Sequence, residues 1–302
     1  MVKNKIKVLV TGINSLVGCY LWNILQKDFG LIGTYHTSKP LFTGSDRIYR
    51  LDINNKQDIK RLIQKIQPHT VIHLASLSSI DDCEKNPDLA EKINVYGTRN
   101  LVNALVGKKV HLIFFSSNAV FAGTHPPYTE SAFPHPLNVY GQTKFQAEKL
   151  IQNTLTNWTI VRSTTIYGWN PPGTRVNDVT YYLPRLQNAE TLYLVNDHYF
   201  NPIYALEVTK AVSNIIQSDF RGFIHIAGKT QVTRYTFVQK IIEEFHINNP
   251  PPVVAVKSNF FPKTAPRPKM ARLDTIKMQH VLKQAPLSLE SGLSLMRAEK
   301  DI

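Results

Sequence analysis

The first half of the chain alternates short apolar segments with amphipathic ones, and this alternation limits the possible folds more than any other feature of the sequence. Each short apolar segment is typical of a buried strand, and the segment after it has the apolar spacing of a helix. Strands that alternate with helices pair in parallel, because each helix carries the chain back to the start of the next strand. The sequence therefore predicts an α/β fold of the Rossmann type, with a doubly wound parallel sheet. The predicted strands are Ile6–Val10, Leu31–Tyr35, Ile48–Ile53, Thr70–Ala75, Val110–Phe115 and Trp158–Arg162.

The first predicted strand runs into a glycine-containing turn and then into a predicted helix over Cys19–Lys27. Strand, turn and helix in this order are the context of a dinucleotide-binding fingerprint. Gly12 permits a tight turn, Gly18 permits close packing of helix on strand, and the helix N-terminus attracts a pyrophosphate. Ser15 stands where glycine is usual, and the alternative is that both glycines are ordinary turn residues. The expected cofactor contacts in this turn are Gly12, Asn14, Ser15, Leu16, Val17 and Gly18.

The end of the second predicted strand bears on which dinucleotide the turn would hold. An acidic residue there would bind the ribose 2′-hydroxyl of NAD, whereas this chain has His36-Thr37-Ser38-Lys39. Hydroxyls and a cation suit a 2′-phosphate, so we expect NADP (NADPH) bound through Ser38 and Lys39. NAD is the alternative cofactor, and an ordinary polar loop is the alternative structure. Further expected cofactor contacts follow the third and fourth strands or lie on the next helix: Asp52, Ile53, Leu74, Ala75, Ser76 and Asn94.

A tyrosine and a lysine four residues apart mark the start of another predicted helix. Tyr140 and Lys144 are neighbours on one face of that helix. A nearby ammonium lowers the pKa of a phenol, and such a tyrosine can give a proton to a carbonyl oxygen. Ligands of a parallel sheet bind at the carboxyl ends of its strands. The hydroxyls of Ser116 and Ser117, which follow the fifth strand, are therefore well placed for chemistry.

Composition argues against several classes of function. The net charge is +13, but the basic residues are dispersed, with no run longer than Lys108-Lys109. This pattern indicates a solvated basic surface or anionic small-molecule ligands, and it argues against nucleic acid. No apolar run approaches the ~20 residues of a membrane span, so we expect no membrane insertion. Cys19 and Cys83 form neither a disulfide framework nor a zinc set, so we expect a cytoplasmic protein without a metal site.

Three of these motifs, taken in order, resemble those of the extended short-chain dehydrogenase/reductase family. They are the turn at 11–18, the serine after the fifth strand and the Tyr140/Lys144 pair. More narrowly, the chain resembles the dTDP-4-dehydrorhamnose reductase group, and the likeness covers essentially its whole length. The further segments that carry this likeness are Ser116–Gly123, Asn138–Lys144, Asn201–Ala205, Ala265–Pro268 and Leu273-Asp274.

The resemblance implies an NAD(P)-binding Rossmann domain over residues 1–166. Residues 167–302 would then form mainly a smaller substrate-binding lobe, with some segments returning to the first domain. It implies reduction of a nucleotide-diphosphate-linked keto-sugar by NADPH, with Tyr140 as proton donor. Lys144 would lower the pKa of Tyr140 and hold the cofactor ribose, and Ser117 would hydrogen-bond the carbonyl oxygen. A homodimer is a candidate assembly. The expected substrate contacts are Ser117, Asn118, Tyr140 and Thr165.

Two departures from the group bear on the substrate. Asn118 stands in place of the usual aspartate, and Thr165 stands in place of a tryptophan that would offer the sugar an aromatic surface. Two alternatives stay open. One is an epimerase or dehydratase that keeps its cofactor bound. The other is an NADP-binding regulatory protein without turnover, since the group includes the regulatory β-subunit of methionine adenosyltransferase.

Overall fold

The computed structural model describes residues 5–38, 45–171, 174–188, 191–261 and 265–300. The strands are β1 Lys7–Thr11, β2 Gly30–Tyr35, β3 Ile48–Arg50, β4 Thr70–His73, β5 His111–Ser117, β6 Trp158–Ser163, β7 Ile166–Tyr167, β8 Leu192–Val195, β9 Tyr199–Phe200, β10 Ile203–Tyr204, β11 Gly222–Ile226, β12 Val232–Thr233 and β13 Val253–Val256. The helices are α1 Leu16–Leu25, α2 Lys56–Ile66, α3 Ile80–Lys85, α4 Pro87–Glu91, α5 Gly97–Leu105, α6 Val139–Thr154, α7 Asp178–Gln187, α8 Ala205–Ser218, α9 Arg234–Glu244, α10 Ile276–Leu282 and α11 Leu289–Lys300.

The large sheet has seven strands in the order β11-β6-β5-β4-β1-β2-β3, and all its pairs are parallel. This confirms the predicted doubly wound sheet. The strand order reverses beside β1, which pairs with β2 on one side and with β4 on the other. The connections that leave β1 and β4 diverge at such a point and open a crevice at the carboxyl edge of the sheet.

Both faces of the sheet are buried, as its apolar strands require. Along β1, Val8 and Val10 pack into one apolar cluster, and Leu9 packs into the other. The first cluster includes Leu21 of α1, and the second includes Ile63 of α2. The strands thus lie between two helical layers, which leaves the sheet edges as the places where a ligand can reach the backbone.

The part of the chain after residue 166 contributes to the large sheet and also to smaller sheets and helices outside it, which we call the lobe. Strand β11 pairs with β6, and α8 packs against α1. The remaining strands form three two-stranded sheets, which together with α7, α9 and α11 enclose a third apolar cluster. Among the residues described, no helix is both long and apolar enough to cross a membrane.

Several elements differ from the predicted ones, and three of the differences lie beside residues that are expected to contact the cofactor. Helix α1 begins at Leu16 rather than Cys19, because the hydroxyl of Ser15 accepts a hydrogen bond from the Gly18 N–H at 3.2 Å and caps the helix. A π-helical turn at Lys92–Tyr96 interrupts the predicted helix that carries Asn94. Strand β3 ends at Arg50 because the Asp52 carboxylate accepts the Asn54 N–H at 2.9 Å and turns the chain.

A buried ion pair joins helix α6 to strand β6. The guanidinium of Arg162 donates to both carboxylate oxygens of Glu148, at 2.8 and 3.1 Å. The exposed fractions of the two side chains are 2% and 0%. Each charge has lost its water and depends on the other for compensation. The pair therefore fixes the helix that begins at Val139 against the sheet.

We expect Glu148→Gln to lower the free energy of unfolding by roughly 3–5 kcal/mol, because it leaves the Arg162 guanidinium buried without a counter-charge. Urea denaturation followed by circular dichroism measures the loss. The matched control is Glu243→Gln, which breaks the exposed Lys240–Glu243 pair and should cost less than about 0.5 kcal/mol. Equal losses in the two variants would contradict this account of α6.

Candidate active site

The turn after β1 passes so close to β4 that its backbone leaves no room for side chains. Gly12 has a positive φ of 69°, and a Cβ there would lie 2.9 Å from the Ala75 nitrogen. A Cβ on Gly18 would lie 2.4 Å from the carbonyl oxygen of Ile13. Glycine at both positions therefore lets the turn and α1 pack directly on neighbouring backbone.

The N-terminus of α1 faces a large cavity. Asn14, Ser15, Leu16 and Val17 line that cavity. The first N–H groups of a helix have no partner inside it, and here Ser15 satisfies the one of Gly18. The remaining N–H groups and the positive end of the helix dipole suit the pyrophosphate of a dinucleotide. The geometry of this turn thus fits the cofactor that its sequence predicts.

The cavity has a volume of about 1050 Å³ and extends from this turn to the C-terminal lobe. Ten of the predicted site residues line it: Asn14, Ser15, Leu16, Val17, Leu74, Ser76, Ser117, Tyr140, Lys144 and Thr165. Eight others are not part of its lining: Gly12, Gly18, Ser38, Asp52, Ile53, Ala75, Asn94 and Asn118. Lys39 lies outside the described residues.

Asn94, one of those eight, holds other parts of the site in place. Its side chain is 2% exposed. Its amide nitrogen donates to the Leu77 carbonyl oxygen and to the Thr143 hydroxyl, both at 3.0 Å, and its oxygen accepts the Leu77 N–H at 2.8 Å. These hydrogen bonds of the Asn94 amide join the segment after β4 to helix α6.

Arg50, at the end of β3, places a cation beside the end of β2 that the sequence pattern did not predict. The register of β2 and β3 pairs Tyr35 with Arg50. The Arg50 Nε donates to the carbonyl oxygen of His36 at 3.2 Å, and the Asn14 amide donates to the Ser38 carbonyl oxygen at 3.3 Å. The parallel pairing of the two strands was the signal that could have placed Arg50 here.

The proposed proton donor lies beside its expected partners. Lys144 is 3% exposed. Its Nζ donates to the Phe115 carbonyl oxygen at 2.9 Å and lies 5.9 Å from the centre of the Tyr140 ring. The Ser117 hydroxyl interacts with Tyr140, donates to the side-chain oxygen of Asn118 at 3.3 Å and accepts the Ala119 N–H at 3.1 Å. The three side chains meet at the carboxyl end of β5.

The expected effect of Lys144 on Tyr140 needs correction. Burial raises the pKa of the Tyr140 phenol to about 12, while the hydrogen bond with Ser117 and the charge of Arg175 act to lower it. Lys144 is not among the groups that shift it, and its ammonium donates to the Phe115 carbonyl oxygen. Burial also lowers the pKa of Lys144 to about 8. The phenol is thus protonated at neutral pH, which is the form that a proton donor requires.

The two predicted substrate contacts that depart from the reductase group, Asn118 and Thr165, lie close to each other beside the cavity. The Asn118 amide donates to the Ala271 carbonyl oxygen at 3.0 Å and to the Thr164 hydroxyl at 3.3 Å. Asn118 and Thr165 line an adjoining pocket of about 340 Å³, which is rich in aromatic side chains. Asn118 therefore ties β5 to a late segment of the chain.

The lobe contributes three arginines to the cavity wall that sequence reasoning missed. Arg234 pairs with Asp178, Arg185 lies over the Tyr181 ring, and Arg175 reaches toward the sheet. Tertiary packing sets the partners of Arg234 and Arg175, so local sequence carried no signal for them, whereas Tyr181 is the helical neighbour of Arg185 four residues before it. The cavity as a whole can hold an elongated anionic ligand against a protonated phenol.

The sequence matches the family model of the RmlD substrate binding domain over residues 6–301. A solved structure with a similar fold is dTDP-4-dehydrorhamnose reductase from Bacillus anthracis in complex with NADP. It is 26% identical, with a TM-score of 0.87 over 98% of this chain and 99% of that one.

Two kinds of curated relative are also similar to the chain. Methionine adenosyltransferase 2 subunit beta of Rattus norvegicus is 27% identical, over 90% of this chain and 81% of the relative. A probable low-salt glycan biosynthesis reductase of Haloferax volcanii is 25% identical, over 96% of each chain. The relatives thus include both a reductase and a subunit of another enzyme.

The buried ammonium of Lys144 predicts a pH dependence of stability. Its pKa is about 8 in the folded protein and about 10.4 in an unfolded chain. Between these values the unfolded state binds more protons, so the free energy of unfolding rises with pH. Relative to Lys144→Met, the wild-type protein should gain roughly 1–2 kcal/mol from pH 8 to 9.5.

Urea denaturation at a series of pH values measures this difference. Lys149→Met is the control, because Lys149 is exposed on the same helix and its replacement should leave the pH dependence unchanged. Parallel curves for the wild type and Lys144→Met would show that burial does not perturb Lys144.

Proposed function

The chain belongs to the family of the RmlD substrate binding domain, and we propose that it is an NADP-dependent reductase of a nucleotide-diphosphate-linked keto-sugar. One observation carries the proposal. The turn at 14–17, which suits a pyrophosphate, and the Ser117/Tyr140/Lys144 set line the same cavity. A cofactor held by the turn would therefore extend toward a proton donor, as reduction of a carbonyl requires.

In this proposal the bound nicotinamide supplies a hydride, and the protein supplies binding, orientation and a proton. Tyr140 gives its phenolic proton to the carbonyl oxygen, and Ser117 holds that oxygen by a hydrogen bond. The phenolate left on Tyr140 is stabilised by the same serine and by the charge of Arg175. Lys144 would bind the cofactor ribose. Its hydrogen bond to the Phe115 carbonyl oxygen also holds α6 against β5.

The preference for NADP rests on the groups at the end of β2. Residues 36–38 include no carboxylate, and the Arg50 guanidinium lies beside the His36 backbone. The Asp52 carboxylate lies 3.9 Å from the His36 ring nitrogen. A guanidinium pairs well with phosphate oxygens. The similar reductase structure from Bacillus anthracis was solved with NADP, which supports the same choice for this chain.

We expect Arg50→Gln to weaken NADPH binding about tenfold and to leave NADH binding unchanged, because only NADPH carries the 2′-phosphate. Titration of intrinsic fluorescence with each cofactor measures both affinities. Arg47→Gln is the control, since Arg47 is a neighbouring cation that lies over the Trp22 ring. Tighter binding of NADH than NADPH by the wild-type protein would contradict the cofactor assignment.

A regulatory protein without turnover is the second candidate, because the chain is 27% identical to methionine adenosyltransferase 2 subunit beta. The presence of Ser117, Tyr140 and Lys144 around one cavity favours the enzyme, since a protein that only binds has no need of a proton donor. An epimerase or dehydratase would use the same groups. The test is to follow the absorbance of NADPH with a panel of nucleotide keto-sugars. Loss of absorbance supports the reductase, whereas tight NADPH binding without loss supports the regulatory alternative.

Tyr140→Phe should lower kcat for the reduced keto-sugar by roughly 10²–10⁴-fold and leave NADPH affinity close to that of the wild type. The substitution removes the phenolic oxygen and keeps the ring. Steady-state kinetics and a fluorescence titration measure the two quantities. Tyr181→Phe, in the lobe wall of the same cavity, should change kcat by less than about threefold. Wild-type kcat in Tyr140→Phe would exclude Tyr140 as the proton donor.

A further inference from the structure

Arg175 bridges the two sides of the cavity at its reacting end. It precedes α7, so it belongs to the lobe, yet its Nη1 donates to the Ser78 hydroxyl at 3.0 Å, beyond the end of β4. Both residues line the same cavity as Tyr140. The positive charge of the guanidinium acts to lower the pKa of the Tyr140 phenol. A substrate whose reacting carbon lies against Tyr140 therefore brings its ring close to Arg175.

Within the described residues, Arg175 has no carboxylate partner. The two acidic residues of the cavity wall are already paired, Asp81 with Arg267 and Asp178 with Arg234. Arg175 itself is exposed, and a serine hydroxyl is a weak partner for a guanidinium. The charge at the reacting end is thus positive and uncompensated.

Of the residues that the structure describes, no other at this end is negatively charged, and the Lys144 ammonium adds a second positive charge. Ser117 and Thr165 carry hydroxyls. Asn118, which follows Ser117 just outside this lining, carries no charge where the group that the chain resembles usually has a carboxylate. An acidic side chain there would repel an anionic sugar, whereas an amide and two hydroxyls do not. This combination favours a negative charge on the substrate ring itself.

We propose that the substrate sugar carries a carboxylate and that Arg175 binds it, exchanging its Ser78 contact for paired hydrogen bonds to the two carboxylate oxygens. The proposal rests on the proposed function, and it narrows the substrate to a nucleotide-linked sugar acid. Arg175 would act in recognition and orientation of the ring, because a planar guanidinium fixes both the position and the plane of a carboxylate.

The test compares UDP-glucuronate with UDP-glucose, which differ in the carboxylate, by calorimetry on the full-length protein saturated with NADP. The wild-type protein should bind UDP-glucuronate at least about tenfold more tightly. Arg175→Gln should abolish this preference and keep the affinity for UDP-glucose, and Arg175→Lys should restore part of the preference. The matched control is Arg185→Gln, another arginine of the cavity wall, which should keep the preference. Arg175 is exposed, so each variant should fold, and unchanged NADP binding verifies this.

Three outcomes would overturn the proposal. The wild-type protein could show no preference for UDP-glucuronate, or Arg175→Gln could keep the full preference. Arg175→Gln could also weaken both ligands equally, which would assign the guanidinium to the shared diphosphate. The proposed function is judged separately, by oxidation of NADPH. A carboxylate preference that depends on Arg175 without any NADPH oxidation would keep this inference and remove the reductase.

Discussion

The contact on which the rest of the site depends is the approach of the Gly12 backbone to that of Ala75. A Cβ on Gly12 would lie within 3.0 Å of two backbone atoms of Ala75, and the positive φ of Gly12 also disfavours a side chain. This approach brings the turn after β1 against the end of β4, where the strand order of the sheet reverses. The crevice that opens there becomes the cavity, and the first turn of α1 points into it. The position of any cofactor thus follows from packing that glycine alone allows.

The other wall of the site is helix α6, which polar contacts hold at three levels. The Asn94 amide meets Thr143 near its start, Lys144 bonds to the Phe115 carbonyl, and Glu148 pairs with Arg162 of β6. Each contact involves a buried side chain, so each would be costly to break. Tyr140 itself takes part in none of these three contacts. Its place beside Ser117 results from the ties along the rest of the helix, which leaves the phenol available for a substrate.

Much of this arrangement could be predicted from the sequence. The alternation of apolar and amphipathic segments predicts the parallel sheet, because burial on both faces imposes that pattern. The spacing of Tyr140 and Lys144 places them on one helix, because helical neighbours recur every three to four residues. The direction in which the Tyr140 pKa shifts could not be predicted, since it depends on burial in the folded protein. Arg50 and Arg175 were not predicted for a related reason. Strand pairing brings Arg50 beside His36, and the folding of the lobe brings Arg175 beside Ser78.

In the proposed reaction, a hydride passes to a carbonyl carbon whose oxygen takes a proton from Tyr140. The most direct measurement uses NADPH deuterated at C4 of the nicotinamide, separately on each face, with a nucleotide keto-sugar that the protein consumes. The account predicts a product that is one mass unit heavier with label on one face and unlabelled with the other. It also predicts that Tyr140→Phe suppresses formation of this product while still binding the cofactor. Product without deuterium from either face, or no product from any keto-sugar despite tight NADPH binding, would contradict the claim.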